Sequence, residues 1–180
     1  MQESHALRAY GRVVAFVVGA GMALGAVGLL LSLVLIAVSV VMRYVFNAAP
    51  VWVDDVVGFL LVATVMLAAA QTLRRGEHIG VDILAEHLSP NGRRWAHGWA
   101  AIASAAVGLL LVFNGWGTSM LAKSLGLLTE GSLEWPTWLL MLLMPLGGTL
   151  IVLAAVEALW RALAGLPPIE APRRDEVQVE

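Results

Sequence analysis

From Val13 to Met42 the chain runs thirty residues without a charged side chain. At 1.5 Å per residue a helix of that length reaches about 45 Å, longer than the ~30 Å hydrocarbon core of a bilayer, so it must tilt or protrude. Arg8 and Arg12 precede it as the basic flank of a signal peptide would, but a signal core is only ~7–15 residues long. The run therefore reads as a retained membrane span. Three further apolar stretches follow at about 51–73, 95–121 and 135–160. Only 13% of the residues are charged and the mean hydropathy is +0.82. Soluble domains carry about 25% charge, so the bilayer is the expected solvent. The expectation is an all-α integral membrane protein with four transmembrane helices. Residues 1–164 would form one four-helix domain, and the proline-rich, mixed-charge residues 165–180 a disordered tail.

Orientation follows from the arginines. Arg8, Arg12, Arg74, Arg75, Arg93, Arg94, Arg161, Arg173 and Arg174 fall on one side of a four-span chain, and only Arg43 and Lys123 on the other. The positive-inside rule places both termini in the cytoplasm. Trp95, Trp99 and Trp160 then mark inner span ends, and Trp52, Trp116, Trp135 and Trp138 outer ends, as two interfacial belts. The polar stretch at about 74–92 is an interfacial cytoplasmic arm between spans two and three. A short helix starting at Asp82 would put Val81, Leu84, Ala85 and Leu88 on one face and His78, Asp82 and Glu86 on the other.

Within the spans, Gly21, Gly25, Gly28 and Ser32 share one face of the first, a surface on which two backbones can approach closely. The sequence leaves open whether the partner is internal or another protein. Asp54 and Asp55 open span two, where acids suit the positive end of the helix dipole. Pro145, followed by Gly147 and Gly148, should kink span four near its middle. Glu157 is spaced to pair with Arg161 at i,i+4.

Little here suits catalysis. The chain has no cysteine and a net charge of −2, so thiol chemistry and a nucleic-acid partner are not indicated. No phosphate-binding loop, nucleophile elbow or zinc-protease motif is present. His78, Asp82 and His87 do not share a face and lack a fourth ligand, so no metal or other cofactor is expected. The span centres carry no charge, which makes a self-contained ion pathway a poor fit. The residues alone are compatible with a transporter subunit, with a free-standing membrane scaffold or assembly factor, and, less well, with a membrane enzyme using His78, His87 and nearby acids.

One combination is more specific. Met42-Arg43-Tyr44-Val45-Phe46-Asn47, then Trp52 with Asp54-Asp55, then a span, then Arg75-Gly76-Glu77-His78-Ile79-Gly80-Val81-Asp82-Ile83-Leu84, resembles the small membrane subunit of tripartite ATP-independent periplasmic (TRAP) transporters. Trp135-Pro136-Thr137-Trp138, followed by Pro145-Leu146-Gly147, is similar to that family's fourth span. The family usually has glutamates where this chain has Asp54 and Asp55, one methylene shorter. The resemblance implies a non-catalytic subunit of the bacterial inner membrane. It would form a static scaffold with a large multi-spanning permease subunit, for sodium-coupled uptake of a carboxylate delivered by a periplasmic substrate-binding protein. It also implies interface roles for Arg43, Trp52, Asp54 and Asp55 at the outer surface, for Arg75, His78 and Asp82 in the arm, and for the Gly21, Gly25 and Gly28 face. Membrane lipids are the remaining expected partner.

Overall fold

A computed structural model describes residues 5–48, 50–75 and 90–166. Five helices are present: α1 (His5–Val45), α2 (Trp52–Arg75), α3 (Pro90–Ser124), the short α4 (Thr137–Met141) and α5 (Leu143–Leu163). With α4 and α5 taken as one broken span, four segments are long and apolar enough to cross a membrane. No strand occurs among the described residues; Leu128 and Pro136 form an isolated bridge. The arm, with His78 and Asp82, and the tail from Pro167 lie outside the described residues.

The helix ends follow local chemistry. α1 stops where Asn47 takes φ +50°, a left-handed conformation that asparagine tolerates, and Ala48 N–H reaches back to the Met42 carbonyl at 3.1 Å. α3 ends at Gly126, φ +62°, with Leu127 N–H bonded to the Ala122 carbonyl at 3.1 Å; glycine adopts this φ without steric cost.

Contacts between named residues fix the arrangement. α1 and α2 run antiparallel, with Gly21 beside Leu67 and Gly25 beside Thr64. α2 and α5 run parallel, with Met66 beside Gly147 and Arg74 beside Glu157. α3 runs antiparallel to α5, with Gly108 against Gly148 and Gly115 against Pro145. α5 thus sits centrally, touching α1, α2 and α3, while α3 rests chiefly on α5 and α4. The start of α1 and the ends of α2 and α5 share one end of the bundle; the start of α2, the end of α3 and α4 share the other.

The core is thin. Val14, Val18, Ala70 and Ala154 are buried together, flanked by Tyr10, Leu73, Leu150, Ile151 and Leu153. Outside it, Phe16 is 78% exposed and Phe113 73%. In water such a surface would be a liability; in hydrocarbon it costs nothing. Helix association then depends on close packing, and glycine supplies it. Gly21, Gly25 and Gly28 all face α2, so the small-residue surface of α1 has its partner within this chain. Thr64 Oγ1 reinforces the seam, donating within reach of both the Gly25 carbonyl (3.1 Å) and the Leu60 carbonyl (2.8 Å).

Pro145 interrupts the fourth span as expected. It has no N–H for the Met141 carbonyl, and the helix breaks at Leu142, between α4 and α5, one turn before the proline. The break lies nearer the α4 end of the span than its middle.

Candidate functional site

At the end of the bundle where α1 begins, Arg74 projects from the last turn of α2 toward α5. Its Nε donates to Glu157 Oε2 at 2.8 Å, and its Nη2 to Glu157 Oε1 at 3.2 Å and to the Gly11 carbonyl at 3.3 Å. The Glu157 side chain is 3% exposed and that of Arg74 16%. One two-pronged pair therefore joins α2, α5 and α1. Tyr10 adds a second tie, donating from its hydroxyl to the Leu153 carbonyl at 3.1 Å and lying 6.1 Å from the Trp160 ring. Gly11 is needed beside the pair, since a Cβ there would meet Glu157 Oε1 at 2.8 Å. The i,i+4 spacing assigned Glu157 to Arg161; the geometry gives it Arg74, across two helices. Helix phase carried a signal for this: Arg74 lies one turn beyond both the buried Ala70 and the buried Gln71, whereas Arg75 lies one turn beyond Gln71 alone.

At the opposite end, Asp55 leaves its own helix terminus and binds the α3–α4 loop. Its Oδ2 accepts from Ser132 N–H at 2.9 Å, Ser132 Oγ at 3.2 Å and Leu133 N–H at 3.3 Å. Gly131 lies so close to this carboxylate that any Cβ would collide with it. Four residues on, Phe59 stacks against Trp135 with ring centroids 6.1 Å apart. The loop is closed on itself by Thr129 N–H bonded to the Trp135 carbonyl at 2.9 Å. Ser119 ties it to α3 through the Trp138 carbonyl at 2.9 Å, and Lys123 lies 4.8 Å from the Trp138 ring centroid. Asp54 points outward, so the adjacent acids have different surroundings: one builds the loop and one faces solvent.

The other residues singled out in the sequence are scattered. Arg43 is exposed in the last turn of α1. Trp52, the first residue of α2, is 45% exposed, and Arg75, its last, is exposed. His78 and Asp82 lie outside the described residues. Gly108, Gly115, Gly147 and Gly148 were not singled out as packing residues, yet they make the closest helix contacts; a lone glycine in a membrane helix carries too little pattern to announce them. Among the described residues, no cluster of three or more His, Cys, Asp or Glu is arranged to hold a metal ion.

These anchors tie helices to each other and to a loop. Neither a curated protein nor a solved structure gives a match to the chain. Residues 32–165, well over half its length, match the family described as tripartite ATP-independent periplasmic transporters, DctQ component. That stretch includes Arg43, Asp55, Arg74 and Glu157, hence both polar anchors except for the contributions of Tyr10 and Gly11. The chain therefore belongs to the DctQ family, the small permease subunits of TRAP transporters.

Proposed function

We propose that this chain is the static membrane scaffold of a TRAP transporter. It holds a large substrate-translocating subunit in place during ion-coupled, specifically sodium-coupled, uptake of a carboxylate delivered by a periplasmic binding protein. The observation that carries this reading is how the buried acid is used. Glu157 is the one acidic side chain buried among the described residues, and Arg74 neutralises it within the chain. A charge committed to a two-pronged pair is not free to take up an ion or a substrate. What remains is a framework of closely packed helices, suited to bracing a moving partner.

In this reading both termini and the segment 76–89 face the cytoplasm of a bacterial inner membrane, and the Asp55-anchored loop faces the periplasm. The loop lies on the side where the binding protein docks, as do Arg43, Trp52 and Asp54, which are near its anchor Asp55 in the sequence. Arg75, His78 and Asp82 brace the complex on the cytoplasmic side. The test is purification of the tagged chain from its own host's membranes in mild detergent, followed by mass spectrometry. A stoichiometric large multi-spanning protein supports the reading. A chain that purifies alone and monodisperse overturns it in favour of a free-standing scaffold. Charge-neutral substitutions at Arg43, Asp54, His78 and Asp82 should lower uptake or complex yield; unchanged values for both would remove these residues from the interface.

A further inference from the structure

α3 turns Gly108 and Gly115 toward α5, where a Cβ would meet the Gly148 carbonyl at 3.0 Å and Pro145 Cδ at 2.7 Å. On its other side Ala103, Val107, Leu110, Asn114, Gly117 and Leu121 are all exposed. Their intervals are four, three, four, three and four. That is the seam of a left-handed helix pair, with one asparagine among apolar positions. No described residue covers it.

Asn114 lies within the hydrocarbon layer. Gly147 is beside Met66 and Gly148 beside Gly108, so Gly108 is level with Met66, near the middle of the charge-free part of α2. Asn114 is about 9 Å further along α3, inside the ~15 Å half-thickness of the layer. Its Nδ2 donates one hydrogen to the Leu110 carbonyl at 2.9 Å. Its second N–H and its Oδ1 have no partner among the described residues. Thr72, Thr118 and Thr149, also exposed on the spans, donate their single hydrogen within their own helix. An amide oxygen finds no spare donor in its own helix, and acyl chains offer none. Its exposure is costly until a second protein covers it.

We propose that α3 pairs in parallel with α3 of a second copy of this chain, the two Asn114 side chains bonding to each other. Copies inserted the same way are related by a twofold axis along the membrane normal, which sets each seam residue opposite its counterpart. The free N–H of each amide then donates to the Oδ1 of the other. A different membrane protein would have to bring both a donor and an acceptor to this depth; a second copy has both by identity. A Cβ on Gly117, the next seam position, would meet nothing within 4 Å in this chain, which leaves room for two backbones to approach. The inference needs the chain to span a membrane but does not depend on its role in transport.

The test uses the full chain, labelled at its amino terminus with donor or acceptor dye and reconstituted alone in phosphatidylcholine vesicles. Energy transfer is followed as the protein is diluted into lipid. Asn114→Val should raise the half-dissociation mole fraction about tenfold, and Asn114→Gln, which keeps the amide, should recover most of the loss. Gly117→Leu fills the seam and should also raise it; it serves alone if Asn114→Val fails to insert. Gly19→Leu, which likewise has open space around it, should leave it unchanged. In host membranes, single cysteines in the otherwise cysteine-free chain report the register. Leu110→Cys and Gly117→Cys should form disulfide dimers on oxidation, and Leu109→Cys, exposed on α3 but off the seam, should not. Transfer that does not depend on dilution, or that neither Asn114→Val nor Gly117→Leu weakens, would overturn the proposal. Equal dimer yields from Leu109→Cys and Leu110→Cys would do the same. A photocrosslinker at position 117 that captures only a larger protein in host membranes would give the face to that protein and also overturn it.

Discussion

Arg74 and Glu157, 83 residues apart in sequence, are joined by two hydrogen bonds of 2.8 and 3.2 Å between the ends of α2 and α5. Removing one partner strands the other's charge in a nearly dry site. Breaking a buried pair in this way costs about 3–5 kcal/mol, whereas replacing both by well-packed apolar residues is often neutral. Arg74→Met and Glu157→Leu alone should therefore each lower the melting temperature in detergent markedly. The double variant should recover most of the loss. Equal destabilisation by the double and single variants would contradict this account of the pair.

The glycines should separate into two groups. A Cβ on Gly147 would meet the Met66 carbonyl and Cβ at 2.9 Å, and one on Gly148 the Gly108 carbonyl at 2.8 Å. Backbone cannot rotate aside, so Gly147→Ala and Gly148→Ala should each cost about 1–3 kcal/mol through overpacking. Gly58→Ala, with nothing within 4 Å, should be neutral or slightly stabilising. Thermal unfolding monitored by circular dichroism compares the three.

Asp55 makes a prediction distinct from that for its neighbour. Its carboxylate holds two loop amides, and hydrogen bonds to charged groups are worth roughly 1.5–3 kcal/mol. Solvent exposure at this half-buried site puts the effect toward the low end of that range. Asp55→Ala should speed hydrogen exchange at Ser132 and Leu133, while Asp54→Ala leaves them unchanged. Matching exchange in the two variants would show that the loop is held by other contacts, such as the Phe59–Trp135 stack.

Orientation is open to direct measurement because the chain contains no cysteine. A single cysteine at Ser132 should react with an impermeant maleimide added to intact spheroplasts. One at Ser89 should react only after lysis. The reverse pattern would invert the proposed topology.

The spans were legible because long uncharged runs have no alternative in a chain so poor in charge. The Gly21, Gly25 and Gly28 face was legible because its spacing repeats. What escaped were contacts between residues distant in the chain. Glu157 has a plausible local partner in Arg161, and a local rule selects it; only the packing of α2 on α5 brings Arg74 closer. Asp55 likewise satisfies a local rule, the acid at a helix start, while its bonds go to a loop 77 residues away. Membrane helices make such errors easy, because their interhelical seams consist of single glycines and isolated polar groups rather than broad hydrophobic patterns.

α1 and α2 are two rulers of different length bound side by side. The charge-free part of α2, Val56–Leu73, measures about 27 Å and that of α1 about 45 Å. α1 stays beside α2 from Gly11, reached by Arg74, through Gly21 and Gly25 to Gly28 beside Leu60. Its surplus of about 18 Å therefore emerges past Gly28, at the end where α2 starts. A layer matched to α2 leaves an apolar stub of α1 standing at that face, and a thinner bilayer would lengthen the stub.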